Sequence, residues 1–206
     1  MAKRESTLKN MVISLMVITA VSGGVLGFVY GLTKDSIAKV EKDKNEKAIS
    51  EVLTKEGVNI SNINTIDIDE LTFNNAYDAN YNYIGSAVKT FASGFNGKIE
   101  LMVGIMNDGT INKVSVLSQS ETPGLGANMA GKFKDQFSGK NPSSYKLTVS
   151  KDGGDVDAIT AATISSRAFC KAVQTAIDGV NANKSQFVKQ TEEIEEQPIE
   201  GGTENE

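Results

Sequence analysis

Hydrophobic patterning divides the chain into stretches of different physical character. From Met11 to Leu32 there are 22 residues without a charge. As a helix this run rises about 33 Å and matches a hydrocarbon core of ~30 Å, so it is predicted to span a membrane. Lys3 and Arg4 ahead of the run and Ser22-Gly23-Gly24 within it also suit a cleaved signal sequence. The apolar stretch continues through Val25, Leu26, Phe28, Val29 and Tyr30, however, past the ~7 to 15 residues of a signal core, which favours an uncleaved anchor. From Thr33 to about Lys55 the apolar positions thin to Ile37, Val40, Ile49, Val52 and Leu53 among many charges, the pattern of a partly solvated helical stalk.

Beyond the stalk the spacing shortens. Gly57 to Asn80 is rich in Asn and Asp with brief alternations at Ile63, Ile66, Ile68 and Leu71, predicting irregular structure or short edge strands. Tyr83 to Phe91, Lys98 to Met106 and Ile111 to Leu117 read as strands of an antiparallel sheet, the last two joined by the turn Asn107-Asp108-Gly109-Thr110. A short helix is expected around Met129 to Phe137, and a further strand at Tyr145 to Ser150 with Leu147 and Val149 on one face. Phe169, Ala172, Val173, Ala176, Ile177 and Val180 then recur at i, i+3, i+4, i+7, i+8 and i+11, one face of a helix, with Gly179 near its expected end. Strands followed by a packing helix predict an α+β fold. The expected organisation is a short tail (1–10), a transmembrane anchor (11–32), a stalk (33–56), an antiparallel-sheet domain with packed helices (57–190) and a tail (191–206).

Charge and composition narrow the chemistry. The tail from Thr191 to Glu206 holds seven Glu and no Lys or Arg, so removing it takes the formal charge from −5 to +2. With Pro198 and Gly201-Gly202 it is expected to be disordered, and no basic stripe supports nucleic-acid binding. The chain has no His, no Trp and one Cys, which excludes serine triads, histidine acid–base catalysis, Cys/His zinc sites and histidine-ligated haem. Redox work would need an organic cofactor. Cys170, beside the apolar helix face, is read as a small core residue.

Two segments remain as candidate chemistry. In Asp157-Ala158-Ile159-Thr160-Ala161-Ala162-Thr163-Ile164-Ser165 a small-residue turn delivers hydroxyls to the start of the amphipathic helix. The first N–H groups of a helix lack internal partners and carry the positive end of its dipole, so a phosphoryl group on Thr163 would meet waiting donors. Asp157 or Thr160 could equally serve only as an N-cap. Ser120-Glu121-Thr122-Pro123-Gly124-Leu125-Gly126 imposes a tight turn with φ > 0 available at Gly124 and Gly126, letting a flat ligand approach bare backbone. Alone, it also fits an ordinary turn.

Together, Glu121 to Gly126 and Asp157 to Ser165 behind one membrane span resemble the FMN-binding subunits of bacterial respiratory complexes. The G subunit of the Rnf ferredoxin:NAD oxidoreductase is the nearest match, and the C subunit of the sodium-pumping NADH:quinone reductase is similar. The resemblance implies FMN joined through its phosphate to Thr163. It also implies recognition of Asp157 and Thr160 by a flavin transferase that takes FMN from FAD, with Thr160, Ala161, Ala162, Ile164 and Ser165 around the attachment point. Glu121, Thr122, Gly124, Leu125 and Gly126 would form the pocket loop. The implied protein is an electron-transfer subunit without turnover of its own, working with the other subunits of an Rnf-type complex. It would sit in the bacterial inner membrane with its domain on the periplasmic or extracellular side. Basic residues flank both ends of the span and do not by themselves favour that side. The sequence departs from the family at Ala161, where Gly is usual, and at Ser118-Gln119-Ser120, where a His often precedes the loop. A flavinylated domain serving another acceptor and a non-redox tethered scaffold are the alternatives.

Overall fold

A computed structural model describes residues 7–195. The chain divides into two compact units between Lys44 and Asn45. Helix α1, Leu8–Leu53, runs through that division. In the first unit it is the one described helix long and apolar enough to cross a membrane, with its apolar side chains exposed.

In the second unit the last turns of α1, expected within a partly solvated helical stalk, pack into the domain. Ala48, Val52 and Leu53 are buried against Ala76, Ala87, Met102 and Leu117. Gly104 makes this docking close, since a Cβ there would lie 2.7 Å from the Val52 carbonyl carbon. Asn112 Nδ2 donates to the free carbonyls of Val52 and Thr54 at 2.7 and 3.0 Å, closing the helix end.

Five strands follow as an antiparallel meander: β1 Asn62–Ile68, β2 Leu71–Tyr77, β3 Tyr83–Ser93, β4 Lys98–Met106 and β5 Ile111–Ser118, in spatial order 1-2-3-4-5. The last three lie where alternation predicts them. At 57–80, where irregular structure or short edge strands were expected, β1 is indeed an edge strand, but β2 is internal and mostly buried. Its asparagines sit in the sheet through bonds to neighbouring strands, although Asn75 Nδ2 is buried without a hydrogen-bond partner among the described residues. Asn74 donates to Ala87 O at 3.0 Å and accepts from Thr65 Oγ1 at 2.9 Å, and Asn75 accepts from Ser86 Oγ. The hairpin between β1 and β2 turns at Asp69, whose φ is 54°.

Helix α3, Thr163–Glu195, covers one sheet face. Phe169, Ala172, Val173, Ala176, Ile177 and Val180 are all buried, as their spacing requires. The helix does not end near Gly179. It continues so that Phe187 packs on Phe73 and Tyr83 and its carbonyl accepts from Tyr77 OH at 3.1 Å. Gly179 instead permits close approach, because a Cβ there would lie 2.6 Å from Leu71 Cδ1 and 3.0 Å from Phe73 Cζ. Thr191 to Glu195, assigned to the disordered tail by composition, extend α3; the rest of that tail lies outside the described residues.

Between β5 and α3 the chain forms a 3-10 turn at Gly126–Ala130, a single helical turn α2 at Lys132–Asp135 and a second 3-10 turn at Ser150–Asp152. The strand expected at Tyr145 to Ser150 does not form. Gly153 at φ 78° reverses the chain, and Asp155 Oδ2 takes the Lys146 N–H at 2.7 Å, so local bonds replace a strand partner. Leu147 and Val149 are buried nonetheless, and Val149 makes one parallel bridge to Val156.

Cys170 is buried in the core, and burial pushes its thiol up to about 12. The native thiol is therefore expected to resist Ellman's reagent at pH 8 and to react on unfolding. A raised pKa also contributes stability that is present below the unfolded value of ~8.5 and lost as pH rises from there towards 12.

Candidate functional site

The site is built where the loop after β5 meets the first turn of α3. Glu121 is buried, and its carboxylate joins three segments. Oε2 accepts from Ser165 Oγ at 2.6 Å, Oε1 accepts from the Asn96 N–H of the β3–β4 turn at 3.0 Å, and the Glu121 N–H donates to Gln119 Oε1 at 2.6 Å. The loop then turns at Gly124, whose φ is 77°, and Asn128 Nδ2 holds the Gly124 carbonyl at 2.9 Å. A Cβ at Gly126 would lie 2.6 Å from Ser165 Oγ and 2.8 Å from Glu121 Oε2. Loop backbone and helix can therefore approach this closely only at glycine.

On the other side, Gln136 grips the Asp157 backbone twice, accepting its N–H at 2.9 Å and donating to its carbonyl at 3.1 Å. Neither Asp157 nor Thr160 caps α3. Ser166 Oγ accepts the Ile159 N–H at 2.9 Å, and the first helical bond runs from Ser166 N–H to Ala162 O at 3.0 Å. The N–H groups of Thr163, Ile164 and Ser165 thus lie ahead of the helical ladder, at the positive end of the dipole.

Ala161 sits between these pieces at φ 58°. That conformation is costly for a residue with a Cβ, by roughly 1–2 kcal/mol. Ala161→Gly is expected to stabilise the chain by about 1 kcal/mol in thermal or urea unfolding in detergent. A neutral or destabilising result would mean that the turn relaxes to negative φ.

Thr163, the first residue of α3, is half-buried, with Oγ1 3.5 Å from Lys151 Nζ. Arg167 keeps Lys151 nearby by a two-bond fork to Asp152, both at 2.7 Å, which also holds the Asp152 carboxyl below its ordinary value. A cavity of about 390 Å³ brings together Glu121, Thr122, Leu125, Gly126, Ala161, Ala162, Thr163, Ile164, Ser165 and Phe95. Gly124 belongs to the same loop without lining this cavity. Asp157 and Thr160 instead line a neighbouring open groove of about 730 Å³ with Lys132, Phe133 and Gln136, because the left-handed Ala161 reverses the chain between Thr160 and Ala162. Phe95, Gln136 and Lys151 are the contributors that sequence reasoning missed. Nothing local to them indicated which segments they would meet.

The volume lies in the ~300–1,000 Å³ range of cofactor pockets. Bare backbone at Gly126, apolar walls, and a hydroxyl beside free N–H groups and a lysine fit a flat aromatic ligand bearing a phosphate. Consistent with that geometry, the model of the FMN-binding domain family matches residues 94–178, which take in the β3–β4 turn, both loops and the start of α3. The fold and site thus define an FMN-binding domain. The G subunit of the ion-translocating oxidoreductase complex of Methanosarcina acetivorans is 32% identical over 181 residues, 85% of this chain and 95% of that protein. The G subunit of the Na(+)-translocating ferredoxin:NAD(+) oxidoreductase complex of Acetobacterium woodii is 31% identical over 180 residues, 79% and 86% respectively. The chain belongs to the family of ion-translocating oxidoreductase complex G subunits. Its fold is also that of the C subunit of the Na(+)-translocating NADH-quinone reductase from Parabacteroides distasonis, with a TM-score of 0.52 and 17% identity over 75% of this chain and 96% of that one.

Proposed function

We propose that this protein is a covalently flavinylated, membrane-anchored electron-transfer subunit of an Rnf-type ferredoxin:NAD oxidoreductase complex, with FMN held through its phosphate on Thr163. The observation that carries this reading is the convergence of the 121–126 loop and the 161–165 turn on one cavity at the Thr163 hydroxyl. When bound, FMN supplies the redox chemistry, for which the chain has no side chains of its own.

The protein's residues bind and orient. Thr163 Oγ1 would hold the FMN phosphate as an ester, its oxygen replacing AMP on the flavin-side phosphorus of FAD, with AMP and the hydroxyl proton leaving. The N–H groups at the start of α3 and the Lys151 ammonium would stabilise the negative charge there. Glu121 and Ser165 lock loop to helix, and Leu125 and Ile164 give the cavity its apolar rim. A covalent link suits a domain facing open water, since it keeps the cofactor beside its redox partners at high effective concentration. Met11 to Leu32 is the anchor, the domain lies on the periplasmic or extracellular side, and the partners are the other subunits of the complex. Asp157 and Thr160 in the outer groove are the contact for the maturing flavin transferase, reachable while Thr163 is being loaded.

The test is to express the full chain in membranes with a flavin transferase and measure in-gel flavin fluorescence and intact mass. A gain of one FMN less one water is expected. An unlabelled chain beside a labelled control substrate would overturn the reading.

A further inference from the structure

Among the described residues beyond 45, the large apolar side chains left exposed are Ile63, Phe95, Leu125, Ile164 and Val188. Three of these, Phe95, Leu125 and Ile164, come from three different segments and line the same cavity as Thr163. Scattered exposed apolar residues need no explanation, but a convergent set marks a surface that is covered in the working state. Leu125 and Ile164 belong to the two segments already assigned to the cofactor. Phe95 does not, and at 68% exposed it is the least covered of the three.

Its position is nevertheless fixed. The turn Gly94-Phe95-Asn96-Gly97 is closed by a Gly94 N–H bond to Gly97 O at 2.7 Å. Asn96 fastens the turn to the pocket loop twice, through its N–H to Glu121 Oε1 at 3.0 Å and its Nδ2 to Ser120 O at 2.8 Å. The other oxygen of the same carboxylate holds Ser165 of α3. A Cβ at Gly94 would collide with Glu121 Oε1, so the turn can sit this close to the carboxylate only with glycine there. A phenyl ring is thus held at the cavity edge by hydrogen bonds of its neighbours, while most of its own surface stays open.

We propose that Phe95 is the outer wall of the flavin site, its ring packing against the isoalloxazine of an FMN carried on Thr163. Aromatic rings prefer offset or edge-on contact, which a wall at the cavity mouth provides, and such contact shields one edge of the flavin from water. This inference rests on the flavinylated reading above.

Time-resolved flavin fluorescence of the full flavinylated chain tests it, comparing wild type, Phe95→Trp and Phe95→Leu. An indole in contact with an excited flavin quenches it by electron transfer. Phe95→Trp is therefore expected to lose most of its emission and shorten the lifetime, while Phe95→Leu keeps emission but becomes more accessible to iodide. Equal lifetimes in Phe95→Trp and Phe95→Leu, in chains that carry FMN by mass, would overturn the wall and leave the flavinylated reading intact. Absence of FMN by mass from every chain, beside a labelled control, would overturn that reading and the wall with it.

Discussion

Thr163→Val is expected to abolish covalent flavin, with in-gel fluorescence falling to background and the intact mass returning to that of the bare polypeptide. Valine keeps the branched shape of threonine at the first position of α3 and removes the oxygen that would carry the phosphate. Among the described residues, that oxygen accepts a single long bond, from Lys151 Nζ at 3.5 Å, so the domain should remain folded without it. The other hydroxyls in the segment serve as controls. Thr160 lines the neighbouring groove, and Thr160→Ala should retain the label, at reduced yield if the transferase contacts it. Ser165 is buried and donates to Glu121 at 2.6 Å, which leaves it a structural tie rather than an attachment point. Label persisting in Thr163→Val would move the attachment to Thr160 and overturn the assignment of Thr163.

Phe169→Ala should give the largest loss of stability of any single change considered. Phe169 is fully buried, with its ring centroid 5.2 Å from that of Phe133 and 5.0 Å from that of Phe137. These three rings dock the short helix α2 on α3, and Gln136, between Phe133 and Phe137 in the chain, grips the Asp157 backbone. Truncating a buried phenylalanine costs about 3–5 kcal/mol through lost transfer energy and the cavity left behind. For a chain of this size that corresponds to a fall in Tm of roughly 10 °C, measurable by differential scanning fluorimetry or circular dichroism in detergent. Phe169→Leu should lose less. An unchanged Tm for Phe169→Ala would show that the aromatic cluster does not hold α2 to α3.

Strands β3, β4 and β5 and the buried face of α3 were legible because burial on a half-covered sheet or helix requires periods of 2 and about 3.6 in the sequence. β2 was not, because its asparagines carry a turn preference that only the Asn74 bonds to Thr65 and Ala87 offset, and those bonds exist only once the strands on either side have paired with it. Gly179 misled in the same way. Local rules read glycine as a helix end, whereas the helix passes through it because Leu71 and Phe73 occupy the space a Cβ would need. Tyr145 to Ser150 alternates like a strand but has no neighbouring strand to bond among the described residues, so its alternation expresses only the burial of Leu147 and Val149.

Residue type and spacing were enough to mark the apolar run long enough to span a membrane, the lack of histidine, two candidate segments, and a threonine at the start of a helix. Each of these is a local property. Folding in three dimensions was needed for Glu121 to tie the two segments together, for Phe95 and Lys151 to join Thr163, and for Asp157 and Thr160 to face a separate groove. Those outcomes depend on backbone reversals at Ala161 and Gly153 and on hydrogen bonds between residues far apart in the chain. No periodicity encodes such contacts, because their energies arise only once the sheet and helices have packed.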